Sequence, residues 1–169
     1  MSCWQGESDL NVVSIGIEIV NPGHEWGYRA FPDAQMTAVE VLCRGIIGRH
    51  PIPPDRVVGH SDVAPSRKQD PGELFDWPRL ARAGIGVWPI SSPAVPPPGS
   101  EAPSVVQAGL RTIGYGVPQT GALDDKTRAA LIAFQRHFRP RRCDGVLDVE
   151  TSARLAAVAS EVAALRSVR

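Results

Sequence analysis

The stretch GHSDVAPSRKQDPG, residues 59–72, holds the densest set of chemically useful side chains in this sequence. His60 offers an imidazole nitrogen and Asp70 a carboxylate oxygen. Both are donors that zinc takes, and a loop turning at Pro65 can bring them together. Lys68 lies two residues before Asp70, in a chain with sixteen arginines and only two lysines, so it is not general basic filler. Its ammonium, next to a polarised carbonyl, can steady the oxyanion that forms as water attacks. Glu18, in VVSIGIEIV, is a candidate general base for a zinc-bound water. Each of these residues also has a plainer reading. A lone histidine at a strand end is more often a hydrogen-bonded structural group, and Asp62 can cap a turn. Asp70-Pro71-Gly72 is a turn sequence, and Glu18 can simply face solvent.

Positioning these groups falls to a small set of elements. In residues 12–20, Ile15, Ile17 and Ile19 alternate with Ser14, Gly16 and Glu18, which predicts a half-buried strand with Glu18 on the face opposite the isoleucines. Met36, Val39, Leu42/Cys43 and Ile46/Ile47 recur every three to four residues and predict a helix over 34–49, stopped by His50-Pro51. Arg56–Gly59 reads as a short strand delivering His60 at its C-terminal end. A strand, a helix and a second strand fit an α/β layer.

Residues 88–103, WPISSPAVPPPGSEAP, carry six prolines and no apolar period, the pattern of an extended linker. Charge divides at the same place. Residues 1–88 hold 8 basic against 11 acidic residues (net −3), and 101–169 hold 10 against 7 (net +3). The expected organisation is a first module over 1–88, a linker over 89–103 and a second module over 104–169. In the second, GALDDKTRAAL (121–131) and GVLDVETSARL (145–155) repeat at a spacing of 24 residues, each with an Asp (124 or 148) placed to cap a helix. With a helix near 105–113, this predicts a small all-α domain of three helices. Phe134, Phe138 and Leu131 fall at core spacing. Gln135 and His137 can line a ligand groove or be ordinary exposed polar positions, and Arg139–Arg142 is a basic loop or a solvated turn.

Composition narrows the function classes. A formal net charge of zero removes a bulk electrostatic case for nucleic acid or anionic membrane. No apolar run reaches the length of a membrane span. The opening residues MSCWQGESDLN have neither a basic nor an apolar leader region, so no export signal is expected in the chain as given. Three widely spaced cysteines (Cys3, Cys43, Cys143) form no CxxC knuckle, and Cys43 sits in the helical apolar stripe as a core residue.

Taken in order, SIGIEIVNPG, GHSDVAPSRKQDPG and the ending FDWPRLARAGIGVWP resemble the zinc-dependent N-acetylmuramoyl-L-alanine amidases of the second type. The tail (IGYGV, AFQRHFRP and DG-x-LD-x-x-T) resembles a peptidoglycan-binding module. The pairing is similar to cell-envelope amidases of Gram-negative bacteria that act on anhydro-muropeptides and intact wall. The resemblance implies an α/β amidase domain, a central mixed sheet flanked by helices with its first strand or strands missing, followed by the three-helix domain. It implies Zn²⁺ held by His60 and Asp70, water activation by Glu18, and stabilisation of the tetrahedral intermediate by Lys68. It also implies a third ligand, a histidine on a strand upstream of SIGIE. No histidine precedes His24, so the expectation is a chain truncated at its N-terminus, with His24 and His50 replacing the ligand only by assumption. The implied partners are peptidoglycan and muropeptides, in the periplasm or cell envelope, with the protein a monomer. The implied reaction is hydrolysis of the amide between N-acetylmuramic acid, or its anhydro form, and L-alanine. The alternative is a non-catalytic peptidoglycan-binding protein with a degenerate amidase half.

Overall fold

A helix, α2 (Asp33–Arg49), organises the N-terminal half. Its buried face is Met36, Val39, Cys43 and Ile46, the stripe that the apolar spacing predicts. Pro32 sets the entry and Asp33 lies in the first turn. The helix stops at His50, which precedes a proline and takes extended backbone. The stripe packs against Phe75, Trp77, Leu80 and Ile85, with Ile17 and Ile19 at its margin. Trp77 and Leu80 come from α4 (Trp77–Arg82), whose first turn is capped by Asp76 accepting from the Arg79 amide at 3.0 Å. Arg79 then bonds back to Glu40 and, at 3.0 Å, to Asp33 of α2. The structure is a computed structural model that describes residues 2–89, 95, 96 and 99–168.

The central mixed sheet expected from the sequence is not there. Among the described residues the only β pairings are two isolated bridges, Trp4 with Glu7 and Trp4 with Tyr115. The predicted strand over 12–20 starts inside one helical turn, α1 (Leu10–Val13), and Ser14 then leaves in extended backbone. None of the backbone N–H groups of 14–20 has a backbone acceptor among the described residues. The physical reason is that a strand is defined by its ladder, and an alternating segment without a neighbour remains an extended chain. The second predicted strand fails differently. Pro54–Arg56 is a 3₁₀ turn with proline at its start, and only Val57–Gly59 is extended before the chain turns helical again at His60. The helices expected to flank a sheet therefore pack on each other and on loops.

The C-terminal third is three helices, α5 (Pro103–Ile113), α6 (Asp125–Phe138) and α7 (Val149–Ser167); α3 (His60–Val63) lies earlier in the chain. Asp124 and Asp148 cap α6 and α7, accepting from the amides of Thr127 at 2.8 Å and Thr151 at 2.9 Å. Each repeat also contains a device that the sequence reading missed. Fully buried Gln107 donates to the Ala122 carbonyl and the Thr127 hydroxyl and accepts from the Gly121 amide. Gln135, equally buried, does the same with the Val146 carbonyl, the Thr151 hydroxyl and the Gly145 amide. A buried amide with every partner in place fixes a loop onto a helix. Gln135 and His137 therefore face the interior, not a ligand groove, and buried Arg139 is ion-paired to Asp148 at 2.8 Å and Glu150 at 2.7 Å.

The two halves share one core. Trp4 and Val87 lie in the same buried cluster as Val106, Leu110, Ile113, Tyr115, Leu131 and Phe134. Of the predicted linker, residues 90–94, 97 and 98 lie outside the described residues. Arg166 on α7 reaches across to buried Asp55 at 2.8 Å while capping the Thr112 and Ile113 carbonyls at the end of α5. Trp4 donates to the Asp55 carbonyl at 2.9 Å and meets Tyr115 edge-on at 5.1 Å. Gly114 makes this contact possible. It has φ +145°, and a Cβ there would sit 2.6 Å from the Trp4 ring. Gly114→Ala should cost about 2–4 kcal/mol through backbone strain and overpacking. Urea unfolding of the full chain followed by tryptophan fluorescence checks this, and an unchanged midpoint would remove Trp4 as a seam between the halves.

Candidate active site

The loop that carries the chemistry is shaped before any side chain is aimed. Gly59 ends the extended segment (φ −83°, ψ 161°), and α3 begins at His60. A Cβ on Gly59 would lie 2.8 Å from the Pro71 ring and 3.3 Å from Trp77, so only glycine lets the returning strand of the loop lie against the entering one. The loop then curls back on itself. The amides of Arg67 and Lys68 both donate to the Ala64 carbonyl at 3.0 Å, and the Ser61 amide donates to the Asp70 carbonyl at 2.8 Å. These bonds bring the two predicted zinc donors together, with His60 Nδ1 3.0 Å from Asp70 Oδ2 and both side chains open to solvent.

Beyond Asp70, joined to Pro71 by a cis peptide bond, the loop is held by Tyr28. The Tyr28 hydroxyl donates to the Pro71 carbonyl and accepts from the Leu74 amide, each at 2.8 Å. Burial pushes this phenol up to about 12, against the pull of the Leu74 amide and with the Glu73 charge adding to the rise. It is therefore a dependable donor across the neutral range. His24, one candidate for the missing ligand, is stacked on Tyr28 with ring centroids 4.2 Å apart, and its Nε2 is 2.9 Å from Glu73. His50, the other candidate, is the exposed C-cap of α2. Neither joins His60 and Asp70.

The remaining predicted residues are not bonded to the pair among the described residues. Glu18 is exposed on the unpaired extended segment, and Lys68 is half-buried in the turn. Among the described residues, no hydrogen bond or ion pair joins either side chain to His60, Asp70 or any other group. The donor chemistry of His60 and Asp70 suits zinc, but a catalytic zinc takes three protein ligands. Among the described residues no group of three or more His, Cys, Asp or Glu is placed to hold a metal ion. The residues described do not make a complete zinc centre.

The deepest polar group of the region is Asp62, which the sequence pattern predicts only as a turn cap. Asp62, 1% exposed, does cap its own turn, its Oδ2 accepting from the Gly59 amide at 2.8 Å. Its other partners come from the C-terminal half. The Tyr115 hydroxyl donates to Oδ1 at 2.6 Å, and His137 Nδ1 lies 2.8 Å from Oδ2, so the imidazole hydrogen sits on Nδ1, facing the carboxylate. Burial, and then the Asp62 charge beside it, hold the Tyr115 phenol well above its ordinary value. His137 is sandwiched between Trp77 at 3.9 Å and Phe138 at 4.0 Å. Neither Tyr115 nor His137 shows a sequence signal tying it to residue 62.

The family model described as N-acetylmuramoyl-L-alanine amidase matches residues 2–73, and that described as putative peptidoglycan binding domain matches 99–155. N-acetylmuramoyl-L-alanine amidase AmiD of Escherichia coli K12 is 38% identical over 165 residues, covering 90% of this chain and 59% of AmiD. The chain belongs to the N-acetylmuramoyl-L-alanine amidase family. A second relative, 1,6-anhydro-N-acetylmuramyl-L-alanine amidase AmpD of Enterobacter cloacae, is 40% identical over 80 residues, 47% of this chain and 41% of AmpD. Among solved structures, AMPDH3 from Pseudomonas aeruginosa matches with a TM-score of 0.80 at 36% identity, covering 95% of this chain and 66% of that one. The complex of E. coli AmiD with anhydro-N-acetylmuramic acid-L-Ala-D-gamma-Glu-L-Lys matches at 0.78, with 36% identity and the same coverage. The chain spans about three fifths of AmiD's length and about two fifths of AmpD's. No described helix is long and apolar enough to cross a membrane.

Asp62→Ala should be severe, because it strands a buried phenol, an imidazole N–H and a backbone amide at once. At about 1–3 kcal/mol for each of the three unsatisfied buried donors, a loss of roughly 3–9 kcal/mol is expected. Denaturant unfolding measures it, and a loss under about 1 kcal/mol would show that the network relaxes without cost.

Proposed function

We propose that this protein hydrolyses the amide between N-acetylmuramic acid, or its anhydro form, and the L-alanine of the stem peptide, in peptidoglycan or its muropeptides. The observation that carries the reading is the His60–Asp70 pair, closed at 3.0 Å on a loop that the chain's own hydrogen bonds build, in a fold similar to AmiD bound to such a substrate. His60 and Asp70 are two of the metal donors in this reading. Glu18, an exposed carboxylate without a partner among the described residues, takes the proton from the attacking water. Lys68, equally uncommitted, donates to the oxyanion of the tetrahedral intermediate. Residues 99–155 hold the wall polymer, and the protein works as a monomer in the periplasm or cell envelope, where that polymer lies.

A second reading is favoured by one observation. Two donors rather than three among the described residues suit a protein that holds peptidoglycan without cutting it. Metal content and turnover separate the two. After dialysis against micromolar zinc, we expect well under one zinc per chain, and release of stem peptide from an anhydro-muropeptide that climbs with added zinc and stops on chelation. No cleavage at any zinc concentration, with the protein still pelleting on insoluble peptidoglycan, would overturn the amidase proposal in favour of binding alone.

At the zinc concentration of highest turnover, Glu18→Ala and Lys68→Ala should each lower kcat by roughly 10²–10⁴ while leaving metal content where it was. A variant that turns over at near the parental rate removes that residue from the reaction.

A further inference from the structure

We infer that Tyr115 and His137, both from the peptidoglycan-binding half, are positioning residues for the His60–Asp70 pair. The chain of contacts is short and buried. Tyr115 and His137 fix the two oxygens of Asp62, at 2.6 and 2.8 Å. Asp62 fixes Gly59 through its amide, and Gly59 and Asp62 bracket the first turn of α3, on which His60 stands. The next amide in that turn, Ser61, holds the Asp70 carbonyl at 2.8 Å. A second route runs beside the first. The His137 ring stacks on Trp77, and Trp77 lies against Gly59, where the Pro71 ring also closes in. Both donors thus hang from a turn whose buried carboxylate, Asp62, draws two of its three partners from another part of the chain. His60 and Asp70 are themselves exposed and, among the described residues, their side chains are hydrogen-bonded only to each other. Their orientation is inherited through the backbone from Asp62.

The inference rests on the reading of His60 and Asp70 as the working pair, and its test is independent of turnover. In the full chain carrying ¹⁵N-histidine, the His60 ring nitrogen shifts report whether Nδ1 faces Asp70, with Asp70→Ala giving the value for the unpaired ring. Tyr115→Phe removes a single O–H, and His137→Phe keeps ring area and stacking while removing the N–H. Each should move the His60 signal at least halfway toward the Asp70→Ala value. His137→Asn restores a side-chain N–H near the Nδ1 position at the expense of ring packing, and should return the signal toward that of the parent. A merely structural role gives the opposite order, with the phenylalanine tolerated and the asparagine not. An unmoved His60 signal in folded Tyr115→Phe and His137→Phe overturns the inference. If His137→Phe does not fold, Tyr115→Phe decides it alone. A moving signal in a chain that cleaves no muropeptide overturns the amidase reading and leaves the positioning intact.

Discussion

The buried carboxylate of Asp62 joins the two halves of this fold. Asp62 is removed from water, and a charge or strong acceptor in that position is tolerable only when its lone pairs are filled. Filling them requires the Gly59 amide from its own turn and two groups roughly 50 and 75 residues further along. That requirement brings α6 down onto α3 and places Trp77 against His137. It also brings Tyr115 within reach of Trp4, so the first residues of the chain pack in the core of the last three helices. Removing Asp62 leaves all three donors buried and unpaired, which ties the two halves to each other more firmly than apolar contact alone.

What the sequence made legible was local. The α2 stripe, the caps at Asp124 and Asp148, and the approach of His60 to Asp70 each depend on spacing within about one turn or one loop, and the structure shows each of them. The sheet was misjudged because alternation in 12–20 describes how side chains would sort if a ladder existed, while the ladder itself depends on a neighbour that no local pattern reveals. His60 was placed after a strand and instead opens a helical turn, since Pro54 starts a 3₁₀ turn that shortens the extended run to three residues.

The long-range polar pairs left almost no local trace, with one exception. Gln107 and Gln135 play the same part in the two repeats. Counting from them, His137 occupies the position that Gly109 holds in the first copy. Gly109 sits against Leu155, where a Cβ would lie 3.3 Å from the leucine side chain, whereas His137 reaches Asp62. The two copies differ at most positions along these helices, so comparing them does not by itself single out His137.

The segment from Ser14 to Val20 has a colloidal consequence. Among the described residues its amides lack backbone acceptors, and the chain around it exposes Val12, Val13, Ile15, Val20 and Trp26. An extended, apolar, hydrogen-bond-hungry edge is a template for adding another strand, and proteins usually guard such edges with lysine, proline or a covering loop. Here the only charge within the segment is Glu18, and the whole molecule carries no net charge near neutrality, its isoelectric point being about 6.9. Mutual repulsion between molecules is therefore weakest near neutral pH. The carboxylate proposed to activate water is also the one acidic gatekeeper on this edge, so neutralising it to probe catalysis also removes the segment's main defence against self-association.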